Sequence, residues 1–151
     1  MKRTIKIIIV ILIAILIFLG GYFTGINNRE ALGEIRIGYQ NSVNPNEIDY
    51  PTIFTDTKNP TIVHNFIMIY LQKEKIEKME NVVIDVENPD IFILVLNPKL
   101  SVGLIDSRVW FTNEGAIIAE RSGESWDQVE YFKIDEMDTN YIKEMIDYKE
   151  G

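Results

Sequence analysis

The chain reads as an α+β protein: an N-terminal transmembrane helix followed by a two-layer sandwich of a mainly antiparallel sheet with two helices. Three observations predict this. Residues Ile7 to Ile26 carry no charge at all, and the stretch opens with IIIVILIAILIFL. Beyond it, short apolar runs are separated by turn residues rather than by helices, the pattern of strands that pair antiparallel with their neighbours. Two amphipathic stretches, one from Asn59 and one from Asp135, supply enough helix to cover one face of such a sheet.

The uncharged stretch comes first. A helix of about 20 residues crosses a hydrocarbon core of roughly 30 Å. Isoleucine is a mediocre helix former in water, but in lipid the backbone must satisfy its own hydrogen bonds, so a single span has to be helical. Lys2, Arg3 and Lys6 precede it, whereas Arg29 and Glu30 balance each other after it, which places the N-terminus in the cytoplasm. No Ala-x-Ala-like cleavage site lies near Gly20 to Gly25, so an uncleaved signal-anchor is expected rather than a removed signal peptide. Gly21 and Gly25 have the small-xxx-small spacing that packs helix on helix, although glycine is common in such spans.

The organisation expected is a cytoplasmic tail at 1–6, a single-pass span at 7–26, a linker at 27–33 and an extracytoplasmic domain at 34–151, located at the cell membrane. So short a tail holds no signalling domain of its own. The linker, about eight residues at 3.3 to 3.6 Å each, keeps the domain within about 30 Å of the bilayer.

Within the domain, Glu34 to Tyr39 (EIRIGY) alternates as a half-buried strand does. The polar run Gln40 to Asp49, with Pro45, reads as a loop. Asn59-Pro60 opens a helix to about Glu80, since asparagine favours the cap and proline the first turn. Its apolar side is Ile62, Phe66, Ile69, Tyr70 and Leu71, and its charged end is Lys73, Glu74, Lys75, Glu77 and Lys78. Asp90 to Leu96 is a central strand set between two Asn-Pro breaks. Leu100 to Thr112 and Ala116 to Arg121 form a hairpin about Asn113-Glu114-Gly115. SGESW at 122–126 turns the chain into a strand at 128–133. Asp135 then caps a helix whose buried stripe is Met137, Tyr141, Ile142 and Met145.

These pieces resemble the YhfM-like small extracytoplasmic domains of Gram-positive bacteria. The resemblance spans most of residues 34 to 148 and rests on the helix from Asn59, the strand PDIFILVL, the aromatic hairpin RVWFTNEG and the strand VEYFKI before the last helix. It implies fold and location only, for the family carries no established chemistry. Many of its members look like lipoproteins with a cysteine after the signal, and this chain has no cysteine.

Composition removes whole classes of function. Without cysteine there is no disulfide, thiol catalysis, thiolate metal site or cysteine-linked lipid. Setting aside the three basic residues before the span leaves 12 basic against 23 acidic side chains, a net of −11. Such a surface is a poor partner for nucleic acid, whose affinity comes from Lys and Arg on phosphates. There is no glycine-rich phosphate loop, and no cofactor is expected.

The candidate chemical groups each have a plainer explanation. His64 is the single histidine, with no carboxylate placed to orient it as a general base. With it as the only candidate base, Ser122 and Ser125 in their turn do not make a hydrolase site. Asp85, Glu87 and Asp90 offer the oxygens a hard cation prefers but lack the ligand order of a calcium loop. Asp135, Glu136 and Asp138 sit where a helix dipole favours negative charge.

The aromatic group carries more. Trp110, Phe111, Trp126, Tyr131 and Phe132 all fall on the hairpin and the strand after it, and Trp110 and Phe111 must point to opposite faces. One of the two therefore lies off the helix-covered core, beside Arg108, where an exposed aromatic makes a recognition anchor unless a loop covers it. The expected interaction surface is Trp110, Arg108, Trp126 and Tyr131, without catalytic or metal-binding residues. The function expected is a non-catalytic, membrane-anchored interaction protein whose partner is another membrane or envelope protein. The alternatives are a small-ligand or cation-binding accessory domain and an immunity or exclusion protein.

Overall fold

The computed structural model describes residues 2–27, 30–78 and 84–149. The chain divides into two compact units, Met1–Glu30 and Ala31–Gly151.

The first unit is one helix, α1 (Lys2–Asn27). Its stretch Ile5–Gly25 has a mean hydropathy of 2.9 and no buried residue, so it is long and apolar enough to cross a membrane. Thr24 returns its hydroxyl to the carbonyl of Gly20 at 2.8 Å, which places that hydroxyl inside the helix's own bonding.

The second unit is a seven-stranded antiparallel sheet with two helices on one face, the α+β sandwich the sequence predicts. The strands are β1 (Glu34–Gln40), β2 (Ile48–Thr55), β3 (Glu74–Lys75), β4 (Ile91–Asn97), β5 (Val102–Thr112), β6 (Gly115–Arg121) and β7 (Val129–Ile134). They lie in the order β2-β1-β4-β5-β6-β7-β3. The helices are α2 (Pro60–Gln72) and α3 (Glu136–Met145).

Alternation along the strands divides the sheet into two faces. Toward α2 and α3 point Ile35 and Ile37 of β1, Ile91, Ile93 and Val95 of β4, Val109 of β5, and Ala116 and Ile118 of β6. With Phe66, Ile69 and Tyr70 of α2 and Ile142 of α3 they form one buried cluster. Polar groups inside it are paired: the Tyr70 and Ser107 hydroxyls meet at 2.7 Å, and Ser107 Oγ also donates to the Ile93 carbonyl. Burial pushes the Tyr70 hydroxyl far above its ordinary range, with the nearby Glu120 carboxylate adding to the rise and the Ser107 hydrogen bond opposing it.

Four local readings are corrected. Residues 48 and 49, assigned to the loop, begin β2, a strand the sequence reading leaves out; its Pro51 is tolerated because β2 is a sheet edge. The first helix stops at Gln72, well short of Glu80, and residues 79–80 lie outside the described residues. After Gln72 the chain turns to edge pairing. Lys73 leaves the helical region and sends its ammonium to the Glu120 carboxylate at 2.9 Å and over the Phe132 ring. Glu74 and Lys75 then pair with β7, where Glu74 meets Lys133 and Lys75 meets Glu130. The buried stripes also shift: Val63 replaces Leu71 in α2, and Met137 in α3 is 74% exposed. Finally, Asn59 holds the cap position of α2 without a side-chain cap bond, whereas Asp135 does cap α3, accepting from the Asp138 amide at 2.9 Å.

Two glycines are required by geometry. A Cβ on Gly38, where β1 and β2 slip register, would sit 2.6 Å from Ile48 and 2.9 Å from the Asp49 carbonyl. Gly115, with φ of +136°, closes the β5–β6 turn where a Cβ would strike the Ile134 carbonyl.

Strand register fixes how the linker enters. Glu34 lies opposite Leu96, and Leu96 opposite Gly103, so the chain joins the sheet at the end where β4 turns into β5. Leu32 donates its amide to the Asp56 carboxylate and the Gly33 carbonyl accepts from the Asp56 amide, so the linker is already held to the domain from Leu32 onward.

Candidate interaction surface

The face of the sheet away from the helices is built by the other half of each alternation. Pairing places Phe92, Arg108, Ala119 and Tyr131 in one row across β4, β5, β6 and β7. The next row toward the β5–β6 turn holds Trp110, Ile117 and Lys133. On the opposite side of the first row come Arg36, Leu94, Asp106 and Arg121.

As expected, Trp110 and Phe111 take opposite faces: Phe111 joins the helix-side cluster and Trp110 does not. Yet Trp110 is not an exposed anchor. It is 4% exposed, in a second small cluster with Ile117 and Ala119, covered by Ile76, Ile84, Trp126, Val129 and Tyr131. Its indole N–H donates to the Asp85 carbonyl at 2.6 Å, which ties the covering loop down. A covering loop carries weak periodicity, so nothing in the sequence marks where it will fold over.

The acidic group before β4 is used in the same way. Asp85 accepts from the Glu87 amide and from Asn88 Nδ2, and these bonds hold its carboxyl below the usual range, the Asn88 bond contributing most. Asp90 accepts from the Phe111 amide at 2.6 Å and from the Tyr148 hydroxyl at 2.8 Å, pinning the segment after α3 to the end of β5. Among the described residues no three His, Asp or Glu side chains gather as a metal would need.

The remaining three members of the expected surface do come together. Arg108 lies under Trp126, its guanidinium carbon 4.0 Å from the ring centre and 6.0 Å from that of Phe92. Tyr131 is two strands along in the same row, and all three are half-buried. The arginines nearby are paired: Arg36 with Glu34 at 2.6 Å and Arg121 with Asp106 at 2.9 Å. Arg108 differs. Its Nε is enclosed and makes no hydrogen bond, and among the described residues no carboxylate pairs with it. In a domain so rich in acids, an arginine without one is an unusual placement.

The groups that hydrolytic chemistry would need are not brought together. His64 is exposed on α2. Ser122 Oγ donates to the Gln128 carbonyl and Ser125 Oγ to the Asp127 carboxylate, both shaping the β6–β7 loop that carries Trp126. A cleft of about 630 Å³ opens at the opposite end of the sheet, lined among others by Gln72, Glu74, Ile76, Glu114, Lys133 and Asp138. Its Lys133 is paired with Glu74.

Compared with known proteins, the chain matches no protein-family model, no curated protein and no solved structure.

Proposed function

We propose that this chain is a single-pass, membrane-anchored binding module of the cell membrane, with its N-terminus cytoplasmic and its α+β domain outside. Its recognition element is the Arg108–Trp126 corner of the helix-free sheet face. It docks another membrane or envelope protein there and does no chemistry of its own. The observation that carries the reading is the guanidinium of Arg108, 4.0 Å from the centre of the Trp126 ring, with its Nε enclosed and unbonded and no carboxylate partner among the described residues. A guanidinium fixed in this way presents its outer N–H groups to a carboxylate at little cost in side-chain freedom. Trp126 and Tyr131 supply the half-buried aromatic surface that anchors protein contacts. The anchoring and its orientation rest on the apolar length of α1 and on Lys2, Arg3 and Lys6 before it. The YhfM-like pattern of residues 34 to 148 accords with that location.

The test is photo-crosslinking in intact cells, with the full-length chain carrying a benzophenone amino acid in place of Trp126 or, as a control, of Met137 on α3. A discrete adduct formed from position 126, lost on Arg108→Met and not formed from position 137, is expected. An adduct that survives Arg108→Met, or one equally strong from both positions, would overturn the assignment of this corner.

A further inference from the structure

The turn between β4 and β5 carries apolar side chains that the fold does not use. Leu100 is 67% exposed, Val102 47% and Leu104 60%, three within five residues at the tip of one hairpin. Turns favour small and polar residues, and the other tight hairpin of the sheet obeys this with Asn113 and Glu114. In the β4–β5 turn Asn97 does the turning work, its side chain accepting from the Leu100 amide, and Ser101 takes φ of 53°. The leucines and the valine are therefore not needed to make the bend.

What covers them is indicated by where the tip lies. It projects beyond the Glu34–Leu96–Gly103 level, at the sheet end through which the linker enters. Leu32, 47% exposed, belongs to that entering segment, whose amide and carbonyl groups bond to Asp56. Six residues, 26–31, separate the apolar stretch Ile5–Gly25 from Leu32, and at 3.3 to 3.6 Å each they span at most about 20 Å. The apolar tip and the entering segment thus share one end of the domain, and that end is the one joined to α1 by the shortest length of chain.

We propose that the β4–β5 tip, Leu100, Val102 and Leu104, inserts into the lipid headgroup region of the membrane that holds α1, giving the domain a second contact with the bilayer. The inference rests on the anchored reading of α1. Its occupant is lipid rather than protein because Leu100, Val102 and Leu104 crowd three exposed apolar side chains onto a hairpin tip at the end of the domain nearest in chain length to α1, the kind of apolar surface that enters a headgroup boundary. A second contact would fix which way the Arg108–Trp126 corner faces.

The absence of cysteine allows a clean test. The full-length chain is reconstituted into phosphatidylcholine vesicles with one cysteine at a time, labelled with an environment-sensitive fluorophore: Leu100→Cys, Leu104→Cys, Glu114→Cys at the opposite end of the sheet, and Ile15→Cys in α1. Blue-shifted emission at 100 and 104, quenched by lipids carrying a nitroxide near the headgroup, is expected, with 114 remaining in water and 15 quenched by a nitroxide deep in the acyl chains. Labels at 100 and 104 as accessible to water as that at 114 would overturn the proposal while a quenched label at 15 leaves the anchor standing. Shielding at 100 and 104 without lipid quenching would assign the tip to a protein contact and equally overturn it. Absence of quenching at 15 would remove the anchor and this inference together.

Discussion

The two faces of the sheet are covered by different means, and the difference separates what holds the domain together from what is free to act. The helix side is a single continuous cluster under α2 and α3, with Phe66, Ile35, Ile37, Ile93 and Ile118 at zero exposure and its hydroxyls paired. Among the described residues the other side has the small cluster of Trp110, Ile117 and Ala119, over which Ile76 is tied by its amide to the Tyr131 carbonyl and Asp85 by the indole hydrogen bond, and beside it an arginine without an acidic partner. Stability should therefore concentrate on the first face and specificity on the second. Substitutions on each can break that division.

The largest effect is expected from Phe66→Ala. Phe66 is fully buried between α2 and the sheet and stacks with Tyr70 at 6.0 Å, so its loss removes transfer energy and leaves a cavity, together about 3–5 kcal/mol. Chemical denaturation followed by circular dichroism measures it. A loss below about 1 kcal/mol would mean that the helix layer is not the domain's main core.

On the other face, Trp110→Phe keeps an aromatic ring in place but removes the donor to the Asp85 carbonyl, leaving a carbonyl unpaired and a smaller volume filled. The expected cost is about 1–3 kcal/mol. The comparison is sharpened by hydrogen exchange: amides of the covering loop around Ile84 to Asn88 should lose protection while those of β1 and β4 keep theirs, since such a loop opens locally. If protection falls throughout, the two faces unfold as one and the division fails.

A third test uses pH. Tyr70 keeps its proton in the folded state well above the ordinary tyrosine range, because burial disfavours the phenolate. A group whose folded pKa is raised stabilises the fold fully below its unfolded pKa and loses that contribution as pH rises. Stability should thus hold below about pH 10 and then decline by up to about 1.4 kcal/mol per pH unit for this one proton. Burial also raises Tyr39 and Tyr50, with the Asp106 carboxylate adding to the rise at Tyr50 and Arg36 opposing it, and both add to the decline. Denaturation midpoints measured from pH 8 to 11 should fall less steeply in Tyr70→Phe, which would show the titration to belong to the helix side.

The same asymmetry accounts for how much was legible in the sequence. Strand β1 announces itself by alternation, β4 by a short apolar run between two Asn-Pro breaks, β6 by the turn residues before it and α3 by its Asp135 cap, and the opposite facing of Trp110 and Phe111 follows from the pleat alone. What escaped was decided by tertiary contacts. β2 carries Asp49 and Pro51, residues that weaken a strand signal and are admitted only because the strand is an edge. The charges from Lys73 to Lys78 fit a solvated helix equally well, and it is the partners Glu120, Lys133 and Glu130, far away in sequence, that turn the chain out of α2. Of the four residues grouped from the sequence, Arg108, Trp126 and Tyr131 do share the helix-free face, but the burial of Trp110 was not legible, because the loop over it leaves no periodic mark.

The smallest expected change in stability belongs to Arg108→Met, and it is the most informative. Methionine retains the length and much of the apolar contact with Trp126, and it gives up a cation–π interaction of about 0.5–1 kcal/mol at a half-buried site. Against that loss stands the removal of an enclosed Nε that makes no hydrogen bond, a donor whose desolvation no described residue repays. The two terms oppose each other, so the net shift should lie within about 1 kcal/mol of zero in either direction. If denaturation instead reveals a loss of several kcal/mol, Arg108 is a structural residue of the second face and its corner has no claim to be a binding site. A fold left intact, together with loss of the adduct from position 126, would assign the arginine's unused donors to a carboxylate outside the molecule.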